Sequence, residues 1–341
     1  MLMHKLEKFY LEKIVTLDQK ERFTALLHID DVLVINFDCL YDREGTLRAL
    51  DQIIYLCHDH GRGKQFIFIS EDGANIRLSG ALTVIASTID CFSLDETNCL
   101  VVCREQITIP NATVITNESI PFWCQTLYHT IKDVPIPQGP FKKKFAVWFH
   151  RGTFWRTAIT RHLVENYKKD SYISYQEPGI LIDKQLSKFF NYNVDWAMNN
   201  TPIIYDELFP NRVFDFELIV GASRKPYADY FIEIVAETDI LTTDWITEKT
   251  VKNLYIGKPF IVFGAPKTLI KIKSFGFQTF SPWIDESYDL IDNIHLRLEA
   301  IKKEIDRLSS YSLEELHQIQ QQLLPILEHN RQTYGKYITS R

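Results

Sequence analysis

Short apolar runs rich in Val, Ile and Phe recur along this chain, and stretches with apolar residues at helical spacing separate them. That alternation limits the fold more than any other feature. Buried strands lying side by side, with helices returning across their faces, make a parallel α/β sheet. "DVLVINFD" (31–38) and "KQFIFIS" (64–70) predict strands, and "TLRALDQIIYLCHDHG" (46–61) predicts a helix between them, ended by Gly61. "ALTVIAST" (81–88), "CLVVC" (99–103) and "ATVIT" (112–116) are further short apolar runs.

The rhythm breaks at "KDVPIPQGPFKKK" (132–144), which holds three prolines, a glycine and a lysine run without apolar period. It reads as an interdomain linker with a solvated basic end. Beyond it "KFAVWFH" (144–150) predicts a strand, and "RGTFWRTAITRHLVENY" (151–167) a turn and a helix. "YFIEIVAET" (230–238) and "PFIVFG" (259–264) predict two more strands, and "APKTLIKIKSFGF" (265–277) a short helix closed by Gly276. The tail is helical over 289–308 and 312–324, with Ser312 and Glu315 at capping-box spacing. The expected organisation is an α/β domain over 1–138, a second α/β domain over 139–290, and C-terminal helices over 291–341. The 341 residues suffice for two domains, and 45% hydrophobic content supplies their cores.

A net charge of −6 argues against a general nucleic-acid coat. The segment "MLMHKLEKFYLEKIVTLDQKERF" is charged throughout and lacks a signal-peptide core, and no apolar run reaches membrane-spanning length. The six cysteines all fall within the first 124 residues and form no CxxC pair, which suits reduced core thiols. A cytoplasmic protein is expected. There is no GxGxxG of the dinucleotide type and no GxxxxGK[ST], which disfavours an NAD-dependent oxidoreductase and a P-loop enzyme.

The segment "TTDWITEKTVKNLYIGKPFIVFG" (242–264) carries the chemistry. Thr247 suits an N-cap, with Asp244 as an earlier choice. Val251, Leu254 and Tyr255 recur at helical spacing, Gly257 suits C′, and Pro259 prevents continuation. Glu248 and Lys249 therefore fall in the first helical turn, where free N–H groups and the dipole favour an anion. A phosphate is the usual guest at such a strand–loop–helix junction. Lys249 is expected on phosphate oxygens and Glu248 on a ribose diol, while Glu237 ends the preceding strand at the sheet's carboxyl edge, where ligands bind.

These residues carry a resemblance. "IVAETDILTTDWITEKTVKNLYIGKPFIVFG" resembles the donor-binding segment of family 10 glycosyltransferases, the α-1,3-fucosyltransferases. It is also similar to phage, giant-virus and bacterial glycosyltransferase-like proteins, whose "GF.TF…IDESYD" extension is matched by "KTLIKIKSFGFQTFSPWIDESYD" (267–289). "KFAVWFHRGTFWRTAITRHL" resembles the family's arginine-bearing loop and helix, with Arg156 at the diphosphate-binding position and Arg151 as a second candidate. The likeness spans about residues 144–290. Thr238 and Asp239 stand where the family has asparagine or serine after its glutamate, so the base is left open.

The resemblance implies two Rossmann-like domains facing across a cleft, the GT-B architecture, with a helical C-terminal tail. It implies a nucleotide-sugar donor such as GDP-fucose, and a glycan, lipid or protein acceptor. Arg151, Arg156, Glu237, Thr247, Glu248 and Lys249 form the expected donor site. No metal and no other cofactor are expected, because no DxD ends a strand. The catalytic base is sought in the first domain: Glu71 and Asp72 first, then Asp38 and Glu118. Asp285, Glu286 and Tyr288 are expected near the donor. The rival function is a nucleotide-sugar-binding or interaction protein without turnover.

Overall fold

The computed structural model describes residues 8–9, 12–13, 26–37, 40, 50–70, 80–103, 107–116, 135–177, 196, 200, 203, 224–237, 240 and 246–339. Packing divides the chain into two units, Met1–Pro121 and Phe122–Arg341. Each contains a mainly or wholly parallel sheet with helices, a mixed α/β architecture.

In the first unit, β1 (Leu26–Ile29) and β2 (Val32–Asn36) form an antiparallel hairpin over Asp30, whose φ is 53°. Three parallel strands follow in sequence order: β3 (Gln65–Ser70), β4 (Cys99–Cys103) and β5 (Thr113–Thr116). Helix α1 (Leu50–His60) links β2 to β3, and α2 (Ala81–Phe92) links β3 to β4. The run "ALTVIAST" is thus helical. Its buried residues Ala81, Val84, Ile85, Thr88 and Ile89 recur at helical spacing, so it covers the sheet with one stripe. Alternate strand residues enter two clusters. Leu33, Ile35, Phe66, Phe68, Cys99 and Val101 meet the helices, and Val32, Val34, Ile67, Ile69, Leu100 and Val102 face the other way. Among the described cysteines, Cys57, Cys99 and Cys103 are buried free thiols, with burial raising Cys57 to about 11 and Cys99 to about 12, while Cys91 is exposed. The expected core role fits three of these four.

The second unit reverses its strand order. β6 (Lys143–Arg151), β7 (Ser171–Glu177), β8 (Tyr230–Ala236) and β9 (Phe260–Phe263) are all parallel and stand in the order β7-β6-β8-β9. Helix α3 (Phe154–Tyr167) leads from β6 to β7, α4 (Arg224–Asp229) precedes β8, and α5 (Glu248–Ile256) leads from β8 to β9. Chain order runs outward in opposite directions from the β6–β8 pair, which makes that pair a topological switch point. Ligands of open α/β sheets bind at the carboxyl ends of such strands. Among the described strands of the first unit there is no reversal.

The remaining helices are α6 (Thr268–Ser274), α7 (Ile294–Ser309) and α8 (Leu313–Thr339). The capping box at α8 forms as its spacing predicts. The Ser312 amide donates to Glu315 at 2.7 Å, and the Glu315 amide donates to the Ser312 hydroxyl at 3.2 Å. Among the described residues, no helix is long and apolar enough to cross a membrane.

The proline-rich segment is docked rather than loose over its described part. Gln320 donates to Pro137 O at 2.7 Å and Gln321 to Gln138 O at 3.2 Å. Ile136 packs at Gly257, where a Cβ would approach it to 2.8 Å at a φ of 75°. The lysine run is not simply solvated either. Lys142 pairs with Asp229 at 3.1 Å, Lys143 donates to Lys169 O, and Lys144 donates to Ser309 O at 2.6 Å, at the end of α7. A cation is favoured at a helix C-terminus, which explains the Lys144 tether.

Beneath α5 lies a buried charged network. Lys252 pairs with Glu233 at 2.8 Å, and Tyr230 donates to Glu233 at 2.9 Å. Burial would lower the Lys252 ammonium, but Glu233 and Tyr227 outweigh it and hold the group above the usual lysine range. Lys258 has no carboxylate in direct contact among its described bonds. It is 0% exposed, donates to Tyr230 O and lies 4.4 Å from the Tyr230 ring centroid. Burial brings it down from 10.5 to about 7, with Glu233 and Asp229 opposing. Between those values the unfolded chain binds a proton that the folded chain does not. Folding stability therefore rises from pH 7 toward 10.5 and is lowest below pH 7, by up to about 1.4 kcal/mol per pH unit. Denaturant unfolding of wild type and Lys258→Met across pH 6–9 should show this slope in wild type only.

Candidate functional site

Two helices begin at the carboxyl edge of β8. Thr153 caps α3 with a hydroxyl that accepts from the Arg156 amide at 3.3 Å, and the Thr157 hydroxyl donates to Thr153 O at 2.9 Å. Thr247 caps α5, as its position predicts, accepting from the Lys249 amide at 3.4 Å. The C-terminal end of α5 closes on Gly257, whose amide donates to Asn253 O at 3.1 Å.

β6 parts from β8 before it parts from β7. β6 pairs with β8 through Ala146 opposite Glu233, whereas it stays paired with β7 as far as Arg151 opposite Glu177. The upper part of β8 is left without β6. Arg156, 4% exposed, reaches this gap from α3 and donates to Ala236 O through Nε at 3.2 Å and a terminal nitrogen at 2.8 Å. Its guanidinium also lies 5.7 Å from the Phe149 ring centroid. The half-buried Trp155 donates its indole N–H to Glu237 O at 3.1 Å.

Glu237 is fully buried, at 0% exposure. One carboxylate oxygen accepts from the Thr247 amide at 3.1 Å and the Thr250 hydroxyl at 2.6 Å, and the other accepts from the Thr247 hydroxyl at 2.5 Å. A buried carboxylate costs several kcal/mol unless it is hydrogen-bonded, and these donors meet that need. Glu237 thus braces the start of α5 with a negative charge, which the helix dipole favours. The Lys249 ammonium lies beside it, donating to the Thr247 hydroxyl at 3.1 Å.

The described atoms of Arg156, Glu237, Thr247 and Lys249 therefore gather at one sheet edge. Arg151 ends β6 and Glu248 opens α5 at the same edge, by backbone position. Glu71, Asp72, Asp38 and Glu118, the candidate bases, lie outside the described residues, as do Asp244 and Trp245. Among the described residues no group of three or more His, Cys, Asp or Glu side chains is gathered in a metal-holding arrangement. His162 serves a surface contact, meeting Asp306 at 2.7 Å.

The stretch "IDESYD" is scaffold. Asp285 accepts from the Ser287 amide at 3.0 Å, and Glu286 from the Phe280 amide at 2.6 Å and the Thr279 hydroxyl at 2.7 Å. Asp289 accepts from the Leu269 amide at 3.0 Å at the start of α6, and burial raises its pKa. The Tyr288 hydroxyl accepts from the Val262 amide at 3.2 Å, on the outer side of edge strand β9. The resemblance placed Asp285, Glu286 and Tyr288 near the donor, and their described bonds hold Ser287, Phe280, Thr279 and Val262. Sequence reasoning also passed over Thr250 and Arg297. Arg297 is buried, donates to Ile240 O at 3.1 Å and so holds the described point of the loop after Glu237.

No protein-family model and no curated protein matches the chain. Among solved structures, the chain is similar to a UDP-forming α,α-trehalose-phosphate synthase from Burkholderia xenovorans, at 10% identity and a TM-score of 0.42, over 92% of this chain and 73% of that one. At that score and identity the likeness assigns neither ligand nor reaction.

A scaffold role for "IDESYD" has a direct consequence. Tyr288→Phe leaves the Val262 amide buried and unpaired, and should lower unfolding free energy by about 1–3 kcal/mol. Circular dichroism during urea titration measures that loss. Ligand affinity of the folded variant should stay at the wild-type value.

Proposed function

We propose that the protein is a glycosyltransferase and that the edge between β6 and β8 holds the diphosphate of a nucleotide-sugar donor. The observation that carries this reading is the convergence of Arg156, the α5 N-terminus and Lys249 on the switch point of a parallel sheet. Sugar transfer leaves growing negative charge on the departing diphosphate, and preorganised cations with helix N–H groups lower the energy of that charge. Arg156 offers a fork-shaped cation, Lys249 a mobile one, and the start of α5 a dipole. Arg151 is a second arginine for the phosphates, and Glu248 a partner for the ribose diol. Glu237 and Thr247 hold the helix that presents them.

The acceptor hydroxyl must lose its proton to a base. Glu71 and Asp72 follow β3 directly in sequence and are the first candidates. Transfer also needs water kept from the reacting sugar, which closure around the donor would provide. Transfer with inversion, without metal, and from a GDP-linked sugar such as GDP-fucose is the form that the segment resemblance favours.

A thermal-shift screen against GDP, UDP, CDP and ADP tests the donor site. A cognate diphosphate at a hundred times its dissociation constant should add about 2.7 kcal/mol of stability. Lys249→Ala should lose most of that gain, and a full gain in this variant, or no gain with any diphosphate, would sink the assignment. Release of nucleoside diphosphate from the donor should be abolished in Glu71→Ala if Glu71 is the base, with diphosphate binding retained.

A further inference from the structure

We infer that Glu237 is a positioning residue whose buried carboxylate orients the Thr247 hydroxyl and, through that hydroxyl, seats the Lys249 ammonium at the start of α5. Its functional meaning rests on the donor-site reading above, but its geometry can be tested without a donor. An ionised carboxylate only accepts hydrogen bonds, whereas a threonine hydroxyl has one proton to donate and two lone pairs. The 2.5 Å contact from the Thr247 hydroxyl to Glu237 commits that single proton. The lone pairs of the same oxygen then face the Lys249 amide at 3.4 Å and the Lys249 ammonium at 3.1 Å. The bonds therefore run in one direction, from Lys249 to Thr247 to Glu237.

Electrostatics requires such a chain. An ammonium at a helix N-terminus meets the positive end of the dipole and is disfavoured there by a few tenths of a kcal/mol or more. The buried negative charge of Glu237, held by two residues of the same helix, offsets that cost for Lys249. A glutamine at 237 cannot reproduce this. Its amide nitrogen would face either the Thr247 hydroxyl, turning that proton away, or the Thr247 amide, setting donor against donor. The first orientation breaks the Thr247–Glu237 bond of the chain, the second costs the Thr247 amide its acceptor, and both remove the negative charge beside Lys249, so the hold on its ammonium weakens. Thr250 supplies a control, because its hydroxyl braces Glu237 at 2.6 Å without touching the Lys249 acceptor.

The test is acylation of Lys249 in the full chain without ligand, by a small N-hydroxysuccinimide ester at fixed pH. Peptide mass spectrometry reads the rate, normalised to the other labelled lysines, and far-UV circular dichroism checks folding. Glu237→Gln and Thr247→Val should raise Lys249 acylation several-fold. Thr247→Ser should restore the wild-type rate, and Thr250→Val should keep that rate while lowering the melting temperature. Wild-type rates in both Glu237→Gln and Thr247→Val would overturn the inference, as would equal acceleration in Thr250→Val. Should a variant at 237 not fold, the comparison of Thr247→Val, Thr247→Ser and Thr250→Val decides alone. Repeating the labelling with saturating GDP or UDP separates the two readings: lack of protection with the variant order intact removes the donor site and leaves the positioning role standing.

Discussion

The buried carboxylate of Glu237 is the constraint around which the second unit is organised. It sits where β8 ends, and its own amide donates to Phe263 O at 3.0 Å, joining it to β9. Its side chain takes the start of α5, and its carbonyl takes the Trp155 indole from the start of α3. One residue thus ties two strands and two helix starts to a single point. A neutral side chain of the same size would satisfy fewer of those donors, and a longer or shorter one would move α5 relative to the sheet.

The splay of β6 from β8 creates unpaired backbone, and buried backbone carbonyls need donors. Arg156 answers that need at Ala236, and Arg297 does the same for Ile240. Both are arginines because a guanidinium spreads several donors in a plane and stays charged when buried. The same logic that supports the fold leaves cationic groups at the edge where an anion would arrive. Scaffold and candidate site therefore share residues, and a substitution there changes both.

Local chemistry was legible in the sequence. Thr247, Gly257 and the Ser312–Glu315 pair each act within a few residues of themselves, so cap rules place them. The βα rhythm gave the parallel sheets, but not the hairpin strand β1, whose only sequence signal is the short run "LLHI" before a turn of two aspartates. "ALTVIAST" is apolar enough for a strand, and only its continuation through Ile89 reveals the helical stripe. What eluded sequence reasoning was partnership over distance. Glu237 finds Thr247 and Thr250 across a loop, Tyr288 finds Val262, and Gln320 finds Pro137 from the far end of the unit. The acids of "IDESYD" were placed near the donor by resemblance alone, and the amides that Glu286 and Asp289 serve lie 6 and 20 residues away.

Helix α5 meets opposite charges at its two ends, one buried and one half-buried. Glu237 holds its N-terminus, and Arg331 donates to Tyr255 O at 3.0 Å and Ile256 O at 2.7 Å at its C-terminus. Both charges have the sign that the macrodipole favours. Sliding α5 along its axis would lengthen one set of bonds while crowding the other, and Gly257 leaves no room for a side chain against Ile136. The helix is therefore fixed in place by construction. On the proposed donor-site reading, a response to an anion at its start comes from side chains such as Lys249 rather than from the backbone. On that reading the bond from Lys249 to Thr247 is one variable that sets how the site meets a phosphate.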